Sequence, residues 1–214
     1  IILQTLKDLD EGDIIQYTDV GCHLNKNGVQ RLEYYFKMTQ DSNNGILAFE
    51  AKIPEYPLVY DGRVLPDLVE YKWTKGDLFD YFGVRNNRKI THSQSMGATV
   101  IFIKKCNTSI NFIRQWLEVF KSDFSYIDDT PSISSNLPNF VEHRHDQSIF
   151  SILCKINAVK TLSGYEYWYP LKGDSRRPNW HELERFPIHA KRDKDLGFLH
   201  KVKHLINRIL KKIS

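Results

Sequence analysis

No run of about 18 apolar residues occurs in this chain of 214 residues, so no segment reads as a membrane-spanning helix. Cysteine is scarce and odd in number. Cys22, Cys106 and Cys154 share no C-x-x-C spacing, which argues against a disulfide framework and a cysteine zinc site and fits a reducing, cytoplasmic setting. The opening residues follow no signal-peptide pattern. No glycine-rich phosphate loop of the G-x-G-x-x-G or G-x-x-x-x-G-K type is present, and no internal repeat. Charge imbalance is small, with a net charge of +4, and the excess sits at one end. After Asp195 there are no acids, but Lys201, Lys203, Arg208, Lys211 and Lys212 follow, so the body is nearly neutral. A nucleic-acid-binding domain calls for a basic stripe across the fold, so nucleic acid is not an expected partner.

What is present is an ordinary globular balance, 41% hydrophobic and 26% charged, on a length that suits one domain with a sizeable core. The tyrosines gather in Tyr34-Tyr35, Tyr56, Tyr60 and Tyr165 to Tyr169. That pattern suits either a carbohydrate or nucleotide surface or an aromatic core and rim. The chain opens on Ile1 inside what reads as a helix, from which we expect a segment upstream.

Periodicity predicts alternating strands and helices. Strands are expected at 13–17, 46–52, 97–105 and 158–163. The third of these, "GATVIFIKK", reads as buried on both faces. Helices are expected at 2–9, from Asn25 or Asn27 to about Thr39, from a Thr74–Asp77 capping box to Gly83, from an Asn107 cap through Phe120, and from His145-Asp146 to Ile156. "RNNRKITHSQS" reads as irregular. The alternation predicts an α/β fold with a mixed, mostly parallel sheet flanked by helices, in which ligands bind at the carboxyl ends of strands. We expect one α/β domain over 1–195. The tail, 196–214, reads as a basic amphipathic helix suited to an anionic membrane surface, or else packed on the domain.

Five stretches carry candidate chemistry. Asp19 follows the first strand in "YTDVG". It reads as a turn residue, or as a hard oxygen ligand for Mn²⁺ or Mg²⁺ beside a diphosphate, with Gly21 letting the backbone approach. His143-Arg144-His145-Asp146-Gln147 precedes an apolar helix, where a plain N-cap competes with a site at free helix N–H groups. "FPIHAKRDKD" offers His189 to a metal and Lys191 and Arg192 to phosphates, with Ser175-Arg176-Arg177 a similar basic candidate. His92, Ser93, Gln94 and Ser95 either hydrogen-bond a small ligand or form a loop. The tail is the fifth.

In this order, "GDIIQYTDVGC", "WTKGDLFDYFG", "SQSMGATVIFIKK" with "FIRQWLE", and "EHRHDQSIFSIL" resemble bacterial nucleotide-sugar glycosyltransferases of the GT-A type, which build surface polysaccharides such as capsule and lipopolysaccharide. The resemblance covers roughly 1–156, with a looser match at 187–192. It implies that the family's first strand and base pocket lie upstream of Ile1, so that the fold is N-terminally incomplete here. It implies that Asp19 meets the metal and the donor's diphosphate, although the family's D-x-D motif has two acids and this stretch has one. His145-Asp146-Gln147 would face the donor and acceptor sugars, and His189 would complete the metal site. The expected function is therefore sugar transfer from a nucleoside diphosphate sugar, UDP-linked, to a glycan or lipid-linked acceptor. The expected cofactor is Mn²⁺ or Mg²⁺, and the expected location is the inner face of the cell membrane. Catalytic roles fall to Asp146 and Gln147, cofactor contacts to Asp19, Gly21, Lys191 and Arg192, and substrate contacts to His92, Gln94 and His145. Two other classes compete: a non-catalytic membrane-surface module that binds a glycan or partner, and a metal-dependent phosphodiesterase or nuclease using His143, His145, Asp146 and Asp19.

Overall fold

The computed structural model describes residues 1–51, 59–60, 63–64, 68–167 and 184–190. Its core is a four-stranded sheet in the order β1 (Ile14–Thr18), β6 (Met96–Lys104), β3 (Ile46–Glu50), β7 (Lys160–Ser163). Two short antiparallel pairs stand apart from it, β2 (His23–Leu24) with β8 (Ile188–His189) and β4 (Val59–Tyr60) with β5 (Arg63–Val64).

The sheet corrects the mostly parallel expectation. β6 pairs antiparallel with both β1 and β3, and only β3 and β7 pair in parallel. The strand–helix alternation does hold for direction, since β1, β3 and β7 all run the same way. What it does not reveal is that β6, running the opposite way, inserts between β1 and β3. The site follows from this topology. The carboxyl ends of β1, β3 and β7 and the amino end of β6 share one edge of the sheet.

β6 earns its central place by composition. Val100 and Phe102 point to one face and Ile101 and Ile103 to the other, and all four are fully buried. On the first face, α2 (Val29–Gln40) packs Tyr35, Leu32 and Phe36 against Leu47, Phe49, Val100 and Phe102. Tyr35 stands edge-on to Phe49 and to Phe102, with ring centroids 5.4 Å apart in each case. Its hydroxyl donates to Glu166 at 2.6 Å, and Arg31 forks onto the same carboxylate at 2.6 and 2.7 Å. The other face is covered by α1 (Ile2–Lys7), α6 (Asn107–Ser122) and α7 (His145–Ile156), through Leu6, Phe112, Ile113, Trp116, Val119, Ile149, Ile152 and Leu153. The result is a three-layer α/β/α sandwich. Leu117 and Ile156 are exposed at the flanks of their helices' apolar stripes.

Local chemistry departs from expectation in three places. Thr74 does not cap a helix. Its hydroxyl reaches back 2.8 Å to Glu70 of α3 (Glu70–Trp73), and α4 (Gly76–Tyr81) begins after Lys75 without a side-chain cap. Asp77 instead accepts the backbone N–H groups of Ile133 and Ser134 at 2.8 and 2.7 Å, so the long loop after α6 outbids the cap. Cys106, not Asn107, caps α6, in a reciprocal box with Ser109. The stretch expected to be irregular contains a one-turn helix, α5 (Arg88–Thr91), capped by Asn87. Gly83 ends α4 as expected, at φ +64°.

Segment 184–190 docks far back in sequence, on residues 25–28. Asn25 donates its amide to the carbonyls of Glu184 and Phe186 at 2.7 and 2.9 Å, and its N–H to Pro187 at 2.8 Å. Gly28 permits the approach, because a β-carbon there would overlap the backbone at Phe186–Pro187. No helix among the described residues is long and apolar enough to cross a membrane. The tail, 196–214, lies outside the described residues.

Candidate functional site

Asp19 sits just past β1, where its N–H still donates to Thr99 at 3.0 Å. The turn that follows is closed by backbone alone, with Cys22 N–H donating 2.9 Å to the Asp19 carbonyl. The Asp19 carboxylate is therefore not consumed by the turn. It is exposed, and Oδ1 receives the Tyr17 hydroxyl at 3.1 Å. Residues two apart on a strand share a face, which is how Tyr17 reaches it. Burial, and then the Asp19 charge, push the Tyr17 phenol above its usual range, so it stays a donor. The left-handed glycines of the described chain are Gly12, Gly45 and Gly83, so Gly21 is not required for its backbone angle.

Asp146 comes from a distant stretch of the chain, at the start of α7. α7 runs antiparallel to β7, so its first turn lies at the same edge as the carboxyl end of β1. That first turn is pinned to α3. Arg144 N–H and the Ser148 hydroxyl both donate to the Trp73 carbonyl, at 3.0 and 2.8 Å, and the Arg144 guanidinium lies 4.5 Å from the centre of the Trp73 ring. Deeper in the helix, Lys155 Nζ meets the fully buried Glu70 carboxylate at 2.6 Å, which also takes the hydroxyls of Thr74 and Ser151.

The N-cap of α7 is Arg144, with no side-chain cap, so the plain capping role for His145 or Asp146 is not used. Asp146 remains open to solvent but is hemmed in by protein. Desolvation pushes its carboxyl above the usual range, and the Asp19 charge adds to this, against hydrogen bonds from the backbone N–H groups of Gln147 and Asp146 and the opposing influence of His145. The charge of Asp19, distant in sequence, is thus felt at the Asp146 carboxyl. Gln147, half-buried in the same turn, holds its N–H to Arg144 O at 3.1 Å. His145 carries φ +51°, a left-handed backbone that costs a non-glycine residue about 1–2 kcal/mol. Its Nε2 lies 2.9 Å from Asp129.

The other candidates fall elsewhere. His143 is buried, donates from Nε2 to the Tyr126 carbonyl at 2.9 Å, and leaves Nδ1 without a partner among the described residues. Burial holds it neutral, with a pKa pushed down to about 4. It is a loop anchor, which removes one residue from the nuclease reading. His92 turns to the Tyr71 ring at 4.9 Å and the Thr91 hydroxyl at 2.8 Å, and Gln94 bridges Val69 through its backbone. Both precede β6 and so stand at the same sheet edge as Asp19.

His189 is buried in β8, opposite His23. Among the described residues no group of three or more His, Cys, Asp or Glu is placed to hold a metal, so Asp19, Asp146 and His189 do not form a ready ligand set. The exposed Asp19 carboxylate does fit a hard divalent ion of the kind that keeps several waters and takes further oxygens from a substrate diphosphate. Lys191 and Arg192, and Arg176 and Arg177, lie outside the described residues.

Sequence reading missed Tyr17, for which the two-residue strand period was an available signal. It also missed Asp129, for which a polar loop offers none. Comparison with protein-family models, with curated proteins and with solved structures found no match.

Proposed function

We propose that the chain is a glycosyltransferase of the GT-A type, moving a sugar from a nucleoside diphosphate sugar to a glycan or lipid-linked acceptor. The observation that carries the reading is the meeting of Asp19, with Tyr17, and Asp146 at the strand-end edge of an α/β sheet. Ligands of such sheets bind at this edge. A carboxyl held above its usual range at such an edge is a mark of function rather than of stability.

In this reading Asp19 faces the diphosphate and Asp146 and Gln147 face the sugars. The free N–H groups opening α7 favour negative charge nearby, and the Asp146 carboxylate already occupies part of that field. The Tyr17 hydroxyl fixes one oxygen of Asp19 and so presents the other outward. A divalent cation held by Asp19 would neutralise charge building on the departing diphosphate. Lys191 and Arg192 are proposed to share that task. The resemblance noted above in "GDIIQYTDVGC" and "EHRHDQSIFSIL" supports the same assignment, with the tail at an anionic membrane surface.

The test is thermal melting with Mn²⁺ and a panel of UDP-sugars. A ligand at 100 times its Kd stabilises by about 2.7 kcal/mol, which for a chain of this size is roughly 5–10 °C. We expect such a shift with at least one donor, lost in Asp19→Ala. No shift with any donor refutes the reading. A shift without turnover would instead identify a module that binds glycan or a partner.

A further inference from the structure

Beside the carboxylate pair, one titratable couple has no role in holding the donor. His145 Nε2 lies 2.9 Å from Asp129 Oδ1. A carboxylate can only accept, so the imidazole donates from Nε2 and its Nδ1 keeps a lone pair. Among the described residues that nitrogen makes no hydrogen bond. The ring is reachable, since the His145 side chain is 48% exposed.

The Asp129 side chain is 92% exposed, but the backbone beside it is held. Its neighbour Asp128 accepts both the N–H and the hydroxyl of Thr130 at 2.9 Å, and Lys75 Nζ, nearly buried, lies 3.6 Å from Asp128. Lys75 also donates to the Ser125 carbonyl, and His143 to the Tyr126 carbonyl, so this corner of the loop is tied down on both sides of α7's start. The couple stands next to Asp146 in the first turn of α7. A solvated surface pair would account for the contact. It would not account for a left-handed φ of +51° at a residue where glycine or asparagine fits with less strain.

We propose that His145 is the proton acceptor for the acceptor sugar's hydroxyl, and that Asp129 is the residue that positions it. This rests on the glycosyltransferase reading above and assigns the acceptor side of that site. The acceptor oxygen bonds to the anomeric carbon as the bond from that carbon to the diphosphate oxygen breaks. The electron pair of the broken bond leaves with the nucleoside diphosphate. The hydroxyl proton passes to Nδ1, and the imidazolium so formed faces Asp129.

The experiment is UDP release from UDP-glucose, UDP-galactose and UDP-N-acetylglucosamine with Mn²⁺, water serving as acceptor. Both side chains are solvent-exposed, so His145→Ala and Asp129→Asn should melt like the wild type. His145→Ala is expected to lower kcat about 100-fold with little change in donor KM. Added imidazole should restore a rate that rises with its concentration, a rescue that a merely structural role would not give. Asp129→Asn should lower kcat by about tenfold at unchanged KM, and Asp129→Glu should recover part of it. UDP release by His145→Ala at the wild-type rate, or a loss that imidazole does not rescue, overturns the role alone. No UDP release by the wild type with any of the donors overturns the role; together with no thermal shift it overturns the glycosyltransferase reading as well.

Discussion

Lys155→Met removes the cation that a fully buried carboxylate faces. Glu70 has no exposed side-chain surface and Lys155 only 8%, with Nζ 2.6 Å from the carboxylate. The hydroxyls of Thr74 and Ser151 also donate to Glu70, and Ser151 in turn receives Met96 N–H at 2.7 Å. The pair therefore joins α3, α7 and the start of β6. Removing one partner of a buried pair leaves an uncompensated charge and costs about 3–5 kcal/mol. For a chain of this length that is a fall in Tm of roughly 6–20 °C. The double variant Glu70→Gln, Lys155→Met leaves a neutral amide that still accepts from both hydroxyls, beside an apolar side chain of similar length. It should recover more than half of the loss, because desolvation of the ions offsets much of their attraction. Thermal and urea melts of wild type, both singles and the double form the cycle that reads the coupling. A Lys155→Met protein that melts within about 2 °C of wild type refutes the reasoning. So does a double variant as unstable as the two singles added together.

Two further outcomes follow from shifted titrations. Asp146 has its folded pKa raised, so its ionised form is penalised: the penalty is present above the folded pKa and absent below the unfolded one. Asp146→Asn should therefore raise Tm at pH 7 and lose that gain below about pH 4, while abolishing UDP-sugar turnover; a lower Tm at pH 7 would contradict the penalty that desolvation, with the Asp19 charge, places on the ionised form. His143, with its pKa pushed down from 6.5 to about 4, is protonated first in the unfolded chain. Its contribution is whole above pH 6.5 and is lost as pH falls toward 4, and His143→Asn should flatten that part of the stability profile in urea melts.

The sequence alone determined a good deal of this protein. Alternating Val100, Ile101, Phe102 and Ile103 require a strand covered on both faces. The apolar spacing of Ile149, Ile152 and Leu153 requires a helix beginning near His145-Asp146. A carboxylate followed by Val20-Gly21 after an apolar strand marks a strand end. These are local statements, set by the side-chain periods of strand and helix, and neighbours along the chain suffice to make them. Tertiary structure alone decided which strands touch. Strand order depends on which sheet face each helix covers, so no local pattern shows β6 reversed between β1 and β3. The same holds for the small polar choices. Thr74 and Asp77 had the spacing of a cap, but a buried Glu70 and the loop at 132–134 offered stronger partners. Asp19, Tyr17, Asp146, His145 and Asp129 come from three separate stretches. Their meeting at one sheet edge is a property of the packed layers: the chain specified each group, and the folded sandwich put them within range of one another.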